Sequence, residues 1–234
     1  MQSFVTSKGE ERLVHVAAGR ARLEGSLSLP EQARGIVLFA HGTGSSRHSP
    51  RNRHVARLLN DARLATLLID LLTPEEEAVD VGMARLRFHI GLLVERLASA
   101  TDWLASQWDT RHLRVGYFGA STGAGAALVA AAERHRIVSA VVSRGGRPDL
   151  AGPALARVRA PTLLIVGGND GQVIELNQRA LAELRCEKRL VIISGASHLF
   201  EEPGALNDVA RLARDWFERY LAPAGHRASM RQAR

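Results

Sequence analysis

The sequence is poor in cysteine, lysine and aromatic residues, and each shortage removes a class of protein. Cys186 is the one cysteine, so no internal disulfide can form, and its setting in the charged run "ELRCEKRL" reads as that of a bystander. No Cys/His cluster has metal-ligand spacing. His41, His48 and His54 lie at steps of seven and six, which match no compact helical ligand pair, so no metal is expected. Lys8 and Lys188 are the only lysines, and the net charge of +7 is therefore almost entirely arginine. Arg227, Arg231 and Arg234 of the tail "PAGHRASMRQAR" supply three of those charges, and the other arginines are interspersed with acids. With aromatics at 5%, there is no row of stacking platforms, and a nucleic-acid partner is not expected. Long apolar runs are also missing. No stretch approaches the 18 residues of a membrane span, so no membrane partner is expected. The opening "MQSFVTSKGEERLVHV" carries charge where an export signal needs its apolar core, which predicts a cytoplasmic protein.

What is present is alternation. "RLVHVAA" and "ARLEGSLSLP" read as two antiparallel strands, followed by "RGIVLFAHGTG", a continuous apolar run of the kind buried on both faces. A helix over about 51–60 leads to the buried strand "LATLLIDLL". After "TPEEEAVD", read as an acidic loop, Leu86, Ile90, Leu93, Leu97 and Leu104 make one helical stripe. Strand and helix then alternate through "RVGYFGAS", "TGAGAALVAAAERH", "IVSAVVSRGG", "PTLLIVGGND", a helix over 173–184 and "RLVIISGASH". A last helix over about 205–221 presents Leu206, Val209, Leu212, Trp216 and Tyr220. This pattern predicts a single α/β domain over 1–221: a mostly parallel central sheet, an antiparallel N-terminal lead-in and helices on both faces. Residues 222–234 read as a flexible basic tail.

Sheets of this type bind ligands beyond the carboxyl ends of their strands. Four such ends carry "HGTGSS", "GASTG", "GGND" and "GASH". A Walker loop is excluded because neither glycine-rich turn holds a lysine. A dinucleotide fingerprint fails because "GTGSSR" has Arg47 where the third glycine belongs, although Asp70 sits where the acid of such a site would. Neither nucleotide nor other cofactor is therefore expected.

Gly119-Ala120-Ser121-Thr122-Gly123 fits G-x-S-x-G between a strand and a helix, the context in which the pattern lifts a serine into a pocket. Such a serine needs a base, and the base needs an orienting acid, in the chain order Ser, acid, His. His135 lies behind the elbow and His226 in the tail, which leaves His198. Asp170 at the end of "TLLIVGGND" is the expected acid, with Asp149 as fallback. Oxyanion donors are expected from the amides of Thr122 and Thr43, with Gly44 next in line. His41 is expected to brace its loop. Arg47, His48 and Arg144 are candidates for selecting a polar substrate group, against the commoner reading of solvated arginines.

"LFAHGTGSS", "VGYFGASTGAGAAL", "LLIVGGNDGQV" and "GASHLFEEPG" together resemble the α/β-hydrolase superfamily, and within it the dienelactone-hydrolase-like group, from about residue 35 to 221. The resemblance implies a parallel-rich sheet of about seven or eight strands. Two departures stand out. Dienelactone hydrolases proper use a cysteine nucleophile where this chain has Ser121, which argues against the dienelactone substrate. The stretch from Ser121 to Asp170 is also consumed by two strands and short helices, leaving no room for a large lid. "SSRHSPRNR" and "SRGGRPDL" resemble stretches of a bacterial subgroup sometimes fused to phosphoribosyltransferase-like domains. The expectation is a cofactor-free serine hydrolase of short to medium acyl esters, monomeric or homodimeric. The rivals are a non-catalytic ligand-binding or sensor module on the same fold, and a lactone, polyester or thioester hydrolase.

Overall fold

The computed structural model describes residues 11–42, 44–83 and 89–222, the side chains of 80–83 excepted. Glu11–Ala18 (β1) and Ala21–Ser28 (β2) form the antiparallel lead-in. β2 joins Ala65–Ile69 (β4) antiparallel, and from there every pairing is parallel. With Ile36–Ala40 (β3), Val115–Ala120 (β5), Val138–Arg144 (β6), Thr162–Gly167 (β7) and Lys188–Ile193 (β8), the order is β1-β2-β4-β3-β5-β6-β7-β8. Every residue of β3, β4, β5 and β7 is buried, which explains why these strands read as unbroken apolar runs. β8, at the sheet edge, is only partly covered.

The two-residue period of the strands divides the core into two layers. Ile36, Leu38 and Ala40 of β3 face one layer, while Val37 and Phe39 face the other. Helices Pro50–Asp61 (α1) and Ala205–Leu221 (α6) cover the second layer. Ile90–Ser106 (α3), Thr122–Glu133 (α4) and Gly171–Glu183 (α5) cover the first. Phe39 and Phe118 meet at 4.9 Å between ring centroids in the second layer, and burying each ring is worth about 1.5–3 kcal/mol.

The structure departs from the sequence reading in two places. "TPEEEAVD" is not a loop. It opens a helix, Pro74–Met83 (α2), through a capping box in which Thr73 Oγ1 accepts from the Glu76 amide and Glu76 Oε2 accepts from the Thr73 amide. The apolar face of α6 is rotated from the expected stripe. Val209, Ala210, Ala213, Trp216, Phe217 and Leu221 are buried, whereas Leu206, Leu212 and Tyr220 only flank them, because the small alanines let the helix settle closer to the sheet. The crossover from β6 to β7 agrees with the sequence reading: it holds a 3-10 stretch, Pro148–Arg157, and nothing of lid size. Leu86 and residues 223–234 of the expected tail lie outside the described residues, whereas Ala222 is buried. Among the described residues, no helix is long and apolar enough to cross a membrane.

Candidate active site

Ser121 occupies the turn between β5 and α4 with φ 50° and ψ −124°, a conformation that costs a non-glycine residue about 1–3 kcal/mol. The small residues around it are required by contact. A Cβ on Gly119 would lie 2.4 Å from Ala124 Cα, and one on Gly123 would lie 2.2 Å from Ala40 O. From the β3 loop, Gly42 approaches so closely that its Cβ would meet Ser121 Cβ at 2.9 Å. The strained serine is thus held between its own helix and the loop where an oxyanion donor was expected.

Asp170 and His198 come together as the sequence order implied. Asp170 follows β7 at the N-terminal edge of α5, His198 follows β8, and His198 Nδ1 lies 2.6 Å from Asp170 Oδ2. A carboxylate only accepts, so Nδ1 carries the proton and Nε2 is left as the basic nitrogen. Ser121 follows β5, with β6 lying between β5 and β7. Its amide donates to Arg144 O at 3.3 Å, and the next residue, Gly145, packs on His198: a Cβ there would lie 3.4 Å from His198 Cε1. Among the described residues, no hydrogen bond joins Ser121 to His198. Catalytic contacts of this kind are often loose without substrate.

The other candidates sort clearly. Asp149 is bound by the Arg147 guanidinium at 2.7 and 2.8 Å and is not the partner of His198. His41 braces the loop: its Nε2 accepts from the Leu71 amide at 3.2 Å, and its Nδ1 donates to Gly42 O at 3.0 Å. Arg47 is not available to a ligand, because its guanidinium pairs with Asp70 and, at 2.6 Å, with Glu24. Those ion pairs also give Asp70 a structural task in place of the ribose contact. His48 is exposed. Thr122 is buried at the start of α4, and Gly44 is exposed with φ 69°, whereas Thr43 lies outside the described residues. Among the described residues, no group of three or more His, Cys, Asp or Glu side chains is arranged to hold a metal ion.

Arg144, the last residue of β6, is different from the other arginines. It is only 7% exposed, yet among the described residues its guanidinium meets no carboxylate and no hydrogen-bond acceptor. Burial, and then the charge of Arg51, push its pKa down to about 10. Among the described residues, the favourable neighbour of its guanidinium is the Phe200 ring, 5.8 Å away. A cation over a desolvated ring gains about 2 kcal/mol, whereas burying an ion costs several. Arg51, missed by the sequence reading because nothing distinguishes it from the solvated arginines of a helix start, shares this environment. Its NH1 group donates to Glu201 at 3.2 Å, while its Nε is buried without an acceptor among the described residues. Asn177 of α5 was also missed. It is fully buried and donates to Gly146 O at 3.0 Å, holding the loop that carries Gly145.

A strained serine at a strand end and an Asp–His pair two strands along are the arrangement of an α/β hydrolase. The chain belongs to the dienelactone hydrolase family, whose model matches residues 25–222. The crystal structure of a dienelactone hydrolase from Anabaena variabilis is 64% identical and superposes with a TM-score of 0.90, covering 92% of this chain and 99% of that one. A Xanthomonas campestris structure described as an α/β serine hydrolase without a lid shares the fold, with a TM-score of 0.72 at 20% identity, over 92% of this chain and 97% of the other. A Mycobacterium tuberculosis protein provisionally named a phosphoribosyl transferase is 60% identical over 212 residues. That match covers 91% of this chain but 47% of the relative, so this chain spans about half its length.

Proposed function

We propose that this chain is a serine hydrolase that cleaves carboxylic esters of short to medium acyl chains through an acyl-enzyme intermediate. The 2.6 Å contact between His198 Nδ1 and Asp170 carries the reading, because it leaves Nε2 as the free nitrogen of an imidazole that, like Ser121, follows the carboxyl end of a strand. His198 Nε2 takes the hydroxyl proton as Ser121 Oγ forms a bond to the ester carbonyl carbon. Amides of Thr122, at the positive end of α4, and of Thr43 receive the oxyanion. Collapse breaks the carbon–alkoxy bond, and the alcohol leaves with the proton from the imidazolium. Water, deprotonated by the same nitrogen, then releases the acid and restores Ser121. Asp170 keeps its proton-free form and stabilises the imidazolium.

The name of the Mycobacterium tuberculosis relative is no obstacle, since this chain corresponds to only about half of that protein. The reading further takes the protein to be cytoplasmic, a monomer or homodimer, with no nucleic-acid or membrane partner. A fluorophosphonate probe should label Ser121, and Ser121→Ala should lower 4-nitrophenyl butyrate turnover by roughly 10⁴-fold or more. The missing Ser121–His198 hydrogen bond is what a non-catalytic module would also show. Folded protein that neither takes the label nor turns over the ester would establish that module instead.

A further inference from the structure

We propose that the open edge of the sheet, strand β8, is a dimerisation surface whose occupant is a second copy of this chain, paired antiparallel so that the two sheets continue as one. The inference chooses between the monomer and the homodimer named above, and it does not depend on ester hydrolysis. Among the described residues, β8 pairs with β7 alone. Glu187 O accepts from the Thr162 amide and Ile193 O from the Gly168 amide, both at 2.8 Å, so the odd-numbered residues here turn their peptide groups inward. By the two-residue period of a strand, Leu190 and Ile192 turn their N–H and C=O groups outward, where no other described residue meets them.

Sheet edges are ordinarily guarded by charge. The opposite edge, β1, is guarded in this way: Arg12 is paired with Asp109, and Glu11 with Arg53 at 2.8 Å. On β8 the charges stop at Lys188 and Arg189, and four apolar residues follow. Leu190 lies on the α5 face of the sheet, and Ile192, two residues on, shares that face and is 44% exposed. Val191 and Ile193 lie on the other face, where α6 packs on β5, β6 and β7 and leaves both half-buried. A second copy matches this surface residue for residue. An antiparallel two-fold axis through Val191 sets Leu190 against Ile192 of the second copy, with their outward peptide groups exchanging hydrogen bonds, and brings Val191 against its own counterpart on the other face. The same symmetry sends Lys188 and Arg189 of the two copies to opposite ends of the seam, whereas a parallel pairing would set like charges side by side. It also points the carboxyl ends of the two sheets in opposite directions, so both candidate sites stay open.

Sedimentation velocity over a dilution series of the full chain should give twice the mass of one chain at micromolar concentration, falling to that of one chain on dilution. Ile192→Lys should raise the dimer dissociation constant by about 100-fold or more, because symmetry places the substitution at two points of one seam. Its Tm, read at a dilution where wild type is also monomeric, should be unchanged. Ile192→Pro tests the backbone: it removes an outward N–H and no bond to β7, and it should dissociate the dimer as well. Val191→Cys in a Cys186→Ser background should be cross-linked by copper–phenanthroline, because a central pair of this kind brings Cα atoms to about 4.5 Å, within disulfide range. If Ile192→Lys fails to fold, Ile192→Pro and Val191→Cys decide. The proposal is overturned if wild type is monomeric throughout, which leaves the edge to an extended segment of another protein. It is equally overturned if a dimer survives both substitutions at position 192 or fails to cross-link through Val191→Cys, which places the interface on another face. Ester turnover and Ser121 labelling enter none of these measurements, so the hydrolase reading stands or falls separately.

Discussion

A methyl group at position 123 should disable this protein, while the same change at position 171, beside the acid of the candidate triad, should not. The Gly123 Cβ would lie 2.2 Å from Ala40 O and 2.5 Å from His41 O, where ordinary contact begins at 3.4 Å. Relief requires α4 and the β3 loop to separate by roughly 1 Å, and neither can do so alone, because Gly42 already presses on Ser121. Overpacking of this kind costs about 1–3 kcal/mol. A displacement of that size at the reacting groups can lower turnover by about 100-fold. Gly171 has nothing within 4 Å of its Cβ, begins α5 and needs no left-handed backbone. Gly171→Ala should be neutral or slightly stabilising, by about 0.4–1 kcal/mol. Urea unfolding gives the stabilities, and the rate of fluorophosphonate labelling reports the elbow without assuming a substrate. The reasoning is refuted if Gly123→Ala labels within twofold of wild type at unchanged stability, or if Gly171→Ala is the more damaged of the two.

Asp170→Asn keeps the shape of the acid but can turn an amide N–H toward His198 and favour the wrong tautomer; kcat on 4-nitrophenyl butyrate should fall by roughly 10⁴-fold with little change in Tm. In the core, Thr101 Oγ1 donates to Leu97 O at 2.8 Å and so accepts from the Tyr117 hydroxyl at 2.5 Å. Thr101→Val strands that buried phenol and should cost about 1–3 kcal/mol in urea unfolding, whereas Tyr117→Phe removes both needs and should cost about 1. Burial raises the pKa of Glu218, outweighing Arg214 at 3.9 Å. The folded state then holds this proton when the unfolded chain has lost it, so the contribution of Glu218 to stability falls as pH rises above 4.5. Glu218→Gln should therefore gain stability relative to wild type between pH 4 and pH 7, and parallel denaturation curves at the two values would refute this.

The sequence is most legible where one requirement dominates. Strands buried on both faces appear as unbroken apolar runs, and β3, β4, β5 and β7 sit where those runs are. The elbow is legible because sterics at Gly119 and Gly123 leave no other residue possible. Legibility fails where two weak signals compete. Three consecutive glutamates in α2 resemble a solvated loop until the Thr73–Glu76 capping box is recognised. The face of α6 is hard to place from sequence because the large Leu206, Leu212 and Tyr220 only flank the buried stripe, whereas the small Ala210 and Ala213 lie within it. Arginine is the hardest to read. Arg47, Arg51 and Arg144 look alike in the sequence, and only the position of acids in space separates Arg47, paired with Asp70 and Glu24, from Arg51, paired with Glu201 alone, and from Arg144, which meets no carboxylate among the described residues.

The same spatial logic explains how Asp170 and His198, the proposed acid and base, are brought together by the fold itself. The loops after β7 and β8 are stitched together by Gly168 N–H to Ile193 O at 2.8 Å and Asn169 N–H to Ala196 O at 2.9 Å, with the Asn169 side chain on Gly195 O at 2.9 Å. Asp170 and His198 are therefore carried on loops that are hydrogen-bonded to each other. Ser121 lies in the elbow packed between α4 and the β3 loop. Between them runs the loop after β6, tied to one side by Arg147 N–H on Ser121 O at 3.0 Å and to the other by Gly145 N–H on Ile165 O at 2.8 Å. Asn177 holds it from below. Small shifts of this one loop set the Ser121–His198 separation, so a change confined to it, such as Asn177→Ala, should alter the labelling rate of Ser121 while leaving the Asp170–His198 contact intact.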